Sequence, residues 1–137
     1  MAAAEALSLC CEGMGVESEW SVRVAALMAA TSIMEGAMPS AVDARRYASL
    51  VRAALACAED PKYAKLKAAG CRALIVLFND GTRIEGLGSR LVQDVGRTAA
   101  ALEADEAPTV RVQAQKLKAR ISAWKETARS QDVEGDA

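Results

Sequence analysis

The chain has 137 residues, of which 52% are hydrophobic and 26% are charged, and its formal net charge is −1 at pH 7. This length and composition are typical of a single globular domain and exclude an intrinsically disordered chain. The balanced charge gives no general attraction to nucleic acid or to acidic lipid. No apolar run approaches the roughly 18–20 residues that a membrane-spanning helix needs, so we expect no contact with a membrane.

Residues 1–16 form an acidic N-terminal segment. Glu5 and Glu12 have no positive partner there, and Glu5 occupies a position where a secretory signal would carry positive charge. The segment predicts at most one weak helix. We therefore expect an intracellular protein, either nuclear or cytoplasmic.

The cysteines agree with a reducing compartment. Cys10 and Cys11 are adjacent and poorly placed to bridge each other, and no CxxC pair occurs. Cys57 and Cys71 lie inside apolar helical runs, which predicts buried free thiols. The pattern indicates neither a disulfide framework nor a zinc site.

The remaining sequence predicts an all-α fold, because it is rich in strong helix formers and lacks strand-like alternation. We expect one helical domain over residues 17–129 and a polar, frayed tail over 130–137. Short connections favour antiparallel neighbours. The five predicted helices, with boundary errors of a few residues, cover 18–35, 40–58, 61–79, 83–103 and 108–128.

Turn and capping signals set these boundaries. Gly36 and Pro39 end the first helix, and Ser40 with Asp43 resembles a capping box for the second. Asp60–Pro61 predicts an N-cap followed by a proline at the first helical position, and Pro108 starts the last helix. In the fourth helix, the glycines Gly86 and Gly88 predict a break near 86–88.

A spacing of 44 residues relates the first, third and fifth predicted helices. Within each, the shared positions follow i, i+4, i+7 and i+11, which is one face of a helix. The period and the paired helices are typical of HEAT and armadillo repeats, which form a right-handed stack. An irregular five-helix bundle is the structural alternative. The equivalent residues are Val22, Leu66 and Val110; Ala26, Gly70 and Ala114; Ala29, Ala73 and Leu117; and Ile33, Leu77 and Ile121.

No catalytic constellation is evident. Histidine is absent, which removes the commonest general base and the commonest metal ligand. There is no phosphate-binding loop, no GxSxG and no HExxH, and the glycines near 86–88 follow no predicted strand. We therefore expect a non-enzymatic protein with no catalytic residues, no metal, no cofactor and no small-molecule substrate.

Positive charge is concentrated on the last predicted helix. Arg111, Lys118 and Lys125 are seven residues apart and so share one face. This face is either a solvated surface or a basic ridge for an acidic partner. Trp20 and Trp124 stand on the first and last helices, where each either packs on the core or anchors a partner. Nucleic acid is a weaker candidate, because one basic helix without interleaved aromatic residues is not a typical nucleic-acid surface.

The C-terminal part, VGRTAAALEADEAPTVRVQAQKLKARISAWKE, resembles the N-terminal (LW) domain of transcription elongation factor TFIIS. The resemblance covers roughly residues 74–128. It implies a small helical bundle without catalytic activity that binds disordered motifs of other transcription factors. The matching residues are Val95, Gly96, Arg97, Leu102, Val110, Arg111, Ala114, Leu117, Trp124 and Lys125.

The segments SEWSVRVAAL and KAAGCRAL are similar to the opening of TOG domains, which are tubulin-binding arrays of HEAT repeats. This resemblance implies that Trp20 would contact tubulin.

The sequence-based hypothesis is a protein-interaction module that binds a short motif of a transcription elongation partner. The alternatives are a tubulin or cytoskeletal adaptor and a structural subunit of a large assembly. The predicted partner-binding residues are Arg97, Arg111, Lys118, Lys125 and Trp20. The residues predicted to hold the helices together are Val22, Leu66, Val110, Leu117 and Trp124.

Overall fold

The computed structural model describes the backbone of residues 19–41, 43–79 and 81–135, and side chains within 19–36, 43–79 and 83–127. The predicted all-α fold is confirmed: every regular element in these ranges is a helix. The N-terminal segment, with Cys10 and Cys11, lies outside the described residues. The helices are α1 (Trp20–Ala41), α2 (Ala44–Ala58), α3 (Ala64–Leu77), α4 (Gly81–Glu85), α5 (Ser89–Leu102) and α6 (Pro108–Gly135).

The predicted fourth helix is two helices. It breaks between Glu85 and Ser89, so the break expected near 86–88 is confirmed. Gly88 has a φ of 87°, in the left-handed region that glycine adopts without a steric penalty. This backbone conformation separates the short helix α4 from α5.

The predicted N-caps of two helices are wrong, although both helices begin within the expected boundary error. The first helix continues past Pro39 to Ala41, and Asp43 rather than Ser40 is the N-cap of α2. The Asp43 carboxylate accepts a hydrogen bond from the Arg46 N–H at 2.7 Å. Helix α3 begins at Ala64, three residues after the predicted proline start, because Asp60 stabilises a turn before the helix.

Pro108 does begin α6, which extends beyond the predicted end to Gly135.

Helix α3 is the centre of the packing. It contacts α1, α2 and α6, while α5 packs against α6 and makes a smaller contact with α2. Helices α1, α3 and α6 therefore form one layer, which α2 and α5 cover. The helices of this layer begin at residues 20, 64 and 108, so their starts are 44 residues apart.

The predicted repeat positions form one face of each helix in this layer, which we call the pairing face. Leu66 and Leu77 on α3, and Val110 and Leu117 on α6, are buried. Gly70 lies against α2, since a Cβ there would be 2.6 Å from the Ala58 backbone nitrogen. The pairing face of α3 is thus buried by the helix that precedes it.

On α1 the pairing face is largely open, so one sequence-predicted packing role is wrong. Val22 is 48% exposed, Ala29 is exposed, and Ala26 and Ile33 are half-buried. No described helix precedes α1 to cover this face. Val22 therefore does not hold α1 in the core.

A second face, which we call the stacking face, is rotated from the pairing face. Its residues on α1 and α3 are apolar and buried: Leu27, Ala30 and Met34, and Cys71, Leu74 and Phe78. The residues 44 positions further on, in α6, are polar and exposed. They are Gln115, Lys118 and Ser122.

Candidate functional site

An open groove of about 440 Å³ lies between α5 and α6. Three of the five predicted partner-binding residues, Arg97, Lys118 and Lys125, line it. The remaining lining residues are Gln93, Gly96, Ala100, Ile121 and Ser122.

The helical period explains how two helices build this groove. On α5, Val92, Val95 and Ala99 point into the core at i, i+3 and i+7. The residues one position later, Gln93, Gly96 and Ala100, therefore share the adjacent face and form one wall.

The α6 wall combines an apolar residue with cations. Ile121 is only 4% exposed, so its side chain forms the floor, while Lys118 and Lys125 are exposed at the rim. Lys118 and Lys125 are two helical turns apart and lie on the same side of α6. The groove thus offers a small apolar floor between positive charges.

Two of the three cations have carboxylates of the chain as neighbours. Arg97 pairs with Asp94 one turn earlier on α5, and Lys118 Nζ lies 3.4 Å from Glu103 Oε2. All four side chains are substantially exposed, so each pair contributes little to folding stability. Another carboxylate could therefore replace Asp94 or Glu103 as the ion-pair partner with little loss of folding stability.

Arg111 has a different role. Its Nη1 donates hydrogen bonds to the carbonyl oxygens of Asp105 (2.8 Å) and Glu106 (3.0 Å). Arg111 is half-buried and is not among the groove-lining residues. These bonds fix the connection between α5 and α6 and so set the position of the two groove walls.

The two tryptophans also lie outside the groove lining. Trp20 is 37% exposed, and its ring stacks on Tyr63 with centroids 4.9 Å apart. Trp124 is half-buried and packs against the core. Neither tryptophan lines the groove.

The structure contains two ion pairs at equivalent places of the layer that the sequence analysis did not predict. Arg23 lies 3.4 Å from Asp60, and Lys67 lies 2.8 Å from Asp105, with the carboxylates 13% exposed in both. Each joins the first turns of one layer helix to the connection that precedes the next layer helix. The available signal was the spacing, because Arg23 and Lys67 are 44 residues apart and the two aspartates are 45 apart.

The surroundings lower the pKa of both aspartates. Burial acts to raise the pKa of Asp60, but hydrogen bonds from the Tyr63 and Lys62 N–H groups and the Arg23 guanidinium outweigh it. For Asp105, the hydrogen bond from Lys67 is the main cause, followed by that from the Ala107 N–H. Both carboxylates are therefore ionised well into the acidic range.

The thiols of Cys57 and Cys71 are buried and form no disulfide, as predicted. Burial raises the pKa of the Cys57 thiol, although the Arg23 guanidinium partly counteracts it. Burial, with a smaller contribution from the Asp105 charge, raises the pKa of Cys71 to about 11. Neither thiol is a reactive nucleophile in the folded protein.

A second open cleft, of about 400 Å³, shares Arg97 with the groove. Glu59 and Asp94 also line it, so it is a poor site for an acidic ligand. Elsewhere in the described ranges, no cluster of three or more histidine, cysteine or acidic side chains could hold a metal ion. None of the described helices is long and apolar enough to cross a membrane.

Comparisons with family models, curated proteins and solved structures found no match to the chain.

Proposed function

We propose that this protein is a non-enzymatic interaction module that binds a short acidic segment of another protein in the groove between α5 and α6. The observation that carries the proposal is the position of Arg97, Lys118 and Lys125, which come from two helices and line one groove. Positive charges around an apolar floor complement a segment in which acidic residues flank an apolar side chain.

The change at the stacking face supports the same proposal. The positions of Leu74 and Phe78, which are buried in α3, are occupied in α6 by the exposed residues Lys118 and Ser122. A further apolar helix pair could not pack there without desolvating Lys118, which is unfavourable. A charged ligand avoids this cost because it keeps the ammonium group paired.

The resemblance to LW domains supplies a narrower proposal for the partner. Gly96, Arg97 and Lys125 belong both to the residues that carry this resemblance and to the groove lining. On this basis the bound segment belongs to a transcription elongation factor. The HEAT-like arrangement proposed from the 44-residue period is supported by the equal spacing of the layer helices.

Direct binding tests the groove. A labelled peptide that alternates leucine with aspartate would be titrated with the protein and followed by fluorescence anisotropy, beside an equally long leucine–lysine peptide. We expect only the acidic peptide to bind, and we expect Lys118→Glu with Lys125→Glu to weaken binding by about tenfold or more, or roughly 1.4 kcal/mol. The matched control is Lys116→Glu with Arg120→Glu, which makes the same charge change on α6 outside the groove lining.

Equal weakening by both double variants would contradict the groove, because it would mean that only net charge matters. Circular dichroism would establish that both variants fold.

The identity of the partner requires capture from native extract with quantitative mass spectrometry. Elongation factors enriched on the wild-type protein and lost on the Lys118→Glu, Lys125→Glu variant would support the narrower proposal. Tubulin retained by both proteins would contradict it and favour the cytoskeletal alternative, in which Trp20 is the contact residue.

A further inference from the structure

The groove between α5 and α6 has a counterpart in the preceding helix pair, between α2 and α3. A shift of 44 residues places the groove-lining residues Lys118 and Ser122 on Leu74 and Phe78 of α3, which are buried. The next helix pair covers that earlier surface, because α6 contacts α3 and α5 makes a smaller contact with α2. The same kind of surface therefore already receives helices within this fold.

Along α6, the groove presents two cations with an apolar residue between them. Lys118 and Lys125 are seven residues apart, which is about 10 Å along a helix axis. Ile121 lies three residues after the first lysine and four before the second, and its side chain is 4% exposed. The three residues thus occupy positions i, i+3 and i+7, which share one face of the helix.

A second helix that lies along α6 reproduces this spacing. Acidic residues at its positions i and i+7 are also about 10 Å apart on one face, and an apolar residue at i+3 or i+4 lies between them. A strand rises about 3.3 Å per residue and alternates its side chains, so carboxylates about 10 Å apart are three residues apart and on opposite faces. The spacing of the groove cations therefore favours a helical ligand over an extended one.

The opposite wall leaves room for the backbone of such a helix. Gly96 and Ala100 are small residues one turn apart on α5, and a Cβ added at Gly96 would meet nothing within 4 Å. Packed helices have axes about 8–10 Å apart, and small side chains at the contact permit the shorter distances. Arg97, the residue after Gly96, adds a third positive charge on this wall. The groove thus combines a low wall with a positive rim.

We propose that the ligand of the groove is an amphipathic helix of a partner protein, with two acidic residues seven positions apart and an apolar residue three or four positions after the first. The helix lies along α6, with its carboxylates at Lys118 and Lys125 and its apolar side chain on Ile121. This inference rests on the proposed function, since it specifies the conformation and the charge spacing of the segment that the same groove binds.

A set of peptides with equal length and net charge tests the spacing. The in-register peptide carries two glutamates seven residues apart and a leucine three positions after the first, in an alanine- and glutamine-rich host. In the out-of-register peptide the second glutamate is moved two positions towards the first, which turns it to the other side of the helix. In the third peptide, the in-register sequence has a central proline on its outer face, which breaks the helix.

Fluorescence anisotropy with the full-length protein should show that the in-register peptide binds at least about tenfold more tightly than the other two. Circular dichroism should show that its helix content rises on binding. Equal affinities of the three peptides would overturn the helical inference and leave the acidic-ligand function standing. Binding of the alternating leucine–aspartate peptide alone would have the same meaning. If no acidic peptide bound, both the inference and the proposed function would be overturned.

Charge reversal tests which side chains meet. Lys125→Glu should weaken binding of the in-register peptide by about tenfold, and replacing one of the two peptide glutamates by lysine should restore it. Only one of the two reversed peptides should do so, and its identity gives the orientation of the bound helix. The matched control is Lys116→Glu, outside the groove lining, which should leave binding unchanged. Equal recovery with both reversed peptides would overturn the inference, because it would show that only net charge matters.

Discussion

The two outer helices of the layer formed by α1, α3 and α6 each leave one face open, but their chemistry differs. The open pairing face of α1 carries Val22 and Ala29, whereas the open stacking face of α6 carries Gln115, Lys118 and Ser122. The interior helix α3 has apolar residues on both faces. An apolar open face favours contact with another apolar surface, and a polar open face favours contact with water or with a charged ligand.

The largest expected change in stability comes from an alanine substitution in the interior helix α3. The same substitution at the equivalent position of α6, at the edge of the layer, should have little effect. Leu74 is fully buried, and its equivalent in α6 is the exposed Lys118. Leu74→Ala should reduce the free energy of unfolding by about 2–5 kcal/mol, because it leaves a cavity. Lys118→Ala should change it by no more than about 0.5 kcal/mol. Urea denaturation measures the free energy of unfolding of both variants. Similar losses would contradict the assignment of Leu74 to the interior and of Lys118 to the edge of the layer.

Glycine-to-alanine substitutions in α3 and in α5 should change the stability in opposite directions. At Gly70 an added Cβ would meet the Ala58 and Ala54 backbones at 2.6 and 2.8 Å, so Gly70→Ala should cost about 1–3 kcal/mol. At Gly96, beside the open groove, a Cβ would meet nothing within 4 Å. Gly96→Ala should therefore stabilise α5 by up to about 1 kcal/mol, because alanine is the better helix former. Thermal unfolding of the two variants would show whether the close approach is confined to α2 and α3.

The partly buried ion pairs Arg23–Asp60 and Lys67–Asp105 connect the layer helices, and acid should weaken them. Folding lowers the pKa of Asp60 and of Asp105, so their contribution to stability is complete above the unfolded pKa, near 4, and is lost as the pH falls through the folded values. Asp60→Asn and Asp105→Asn should each cost about 1–3 kcal/mol at neutral pH.

The measurement is the free energy of unfolding between neutral pH and pH 3, with Asp94→Asn as the control for an exposed ion pair. The Asp60→Asn and Asp105→Asn variants should lose less stability on acidification than the wild-type protein does. If the variants had the same pH dependence as the wild-type protein, the ion pairs would not be stabilising the layer helices.

The smallest expected effect concerns aromatic stacking at the α1 edge. Trp20→Leu removes the stack on Tyr63 and should cost about 0.5–1.5 kcal/mol. Val112→Ala, at an exposed position of α6, should cost less than about 0.5 kcal/mol. Thermal melts would compare the two. A neutral Trp20→Leu would favour a binding role for this side chain over a packing role.

Much of the fold was predictable because helical periodicity and glycine placement act locally. The break near Gly88 and the 44-residue spacing of the layer helices follow from the sequence alone. The exposure of Val22 does not, because it depends on which helix covers which face, and this is a tertiary property. For the same reason the sequence predicts Asp60 only as an N-cap before a proline, whereas its ion pair with Arg23 joins residues 37 positions apart.

The candidate site was predictable only in part. The seven-residue spacing of Lys118 and Lys125 identified one wall, since residues on one helix share a face at that spacing. The position of α5 against α6 brought Arg97 to the same groove and left Arg111 outside its lining. Arg97 is among the predicted partner-binding residues, and the short connection favours packing of its helix against the last one. Sequence periodicity does not determine which faces of the two helices form a groove, so the complete lining could not be predicted.

The two buried thiols can be used to measure how often the fold opens locally or globally. Cys57 on α2 and Cys71 on α3 are fully buried, and the high thiol pKa of Cys71 makes the folded protein unreactive at this position. A thiol reagent can therefore label either residue only during transient local or global unfolding. The two labelling rates, compared with the rates in urea, would give the free energy of opening for each helix. Equal values would mean that α2 and α3 open as one cooperative unit.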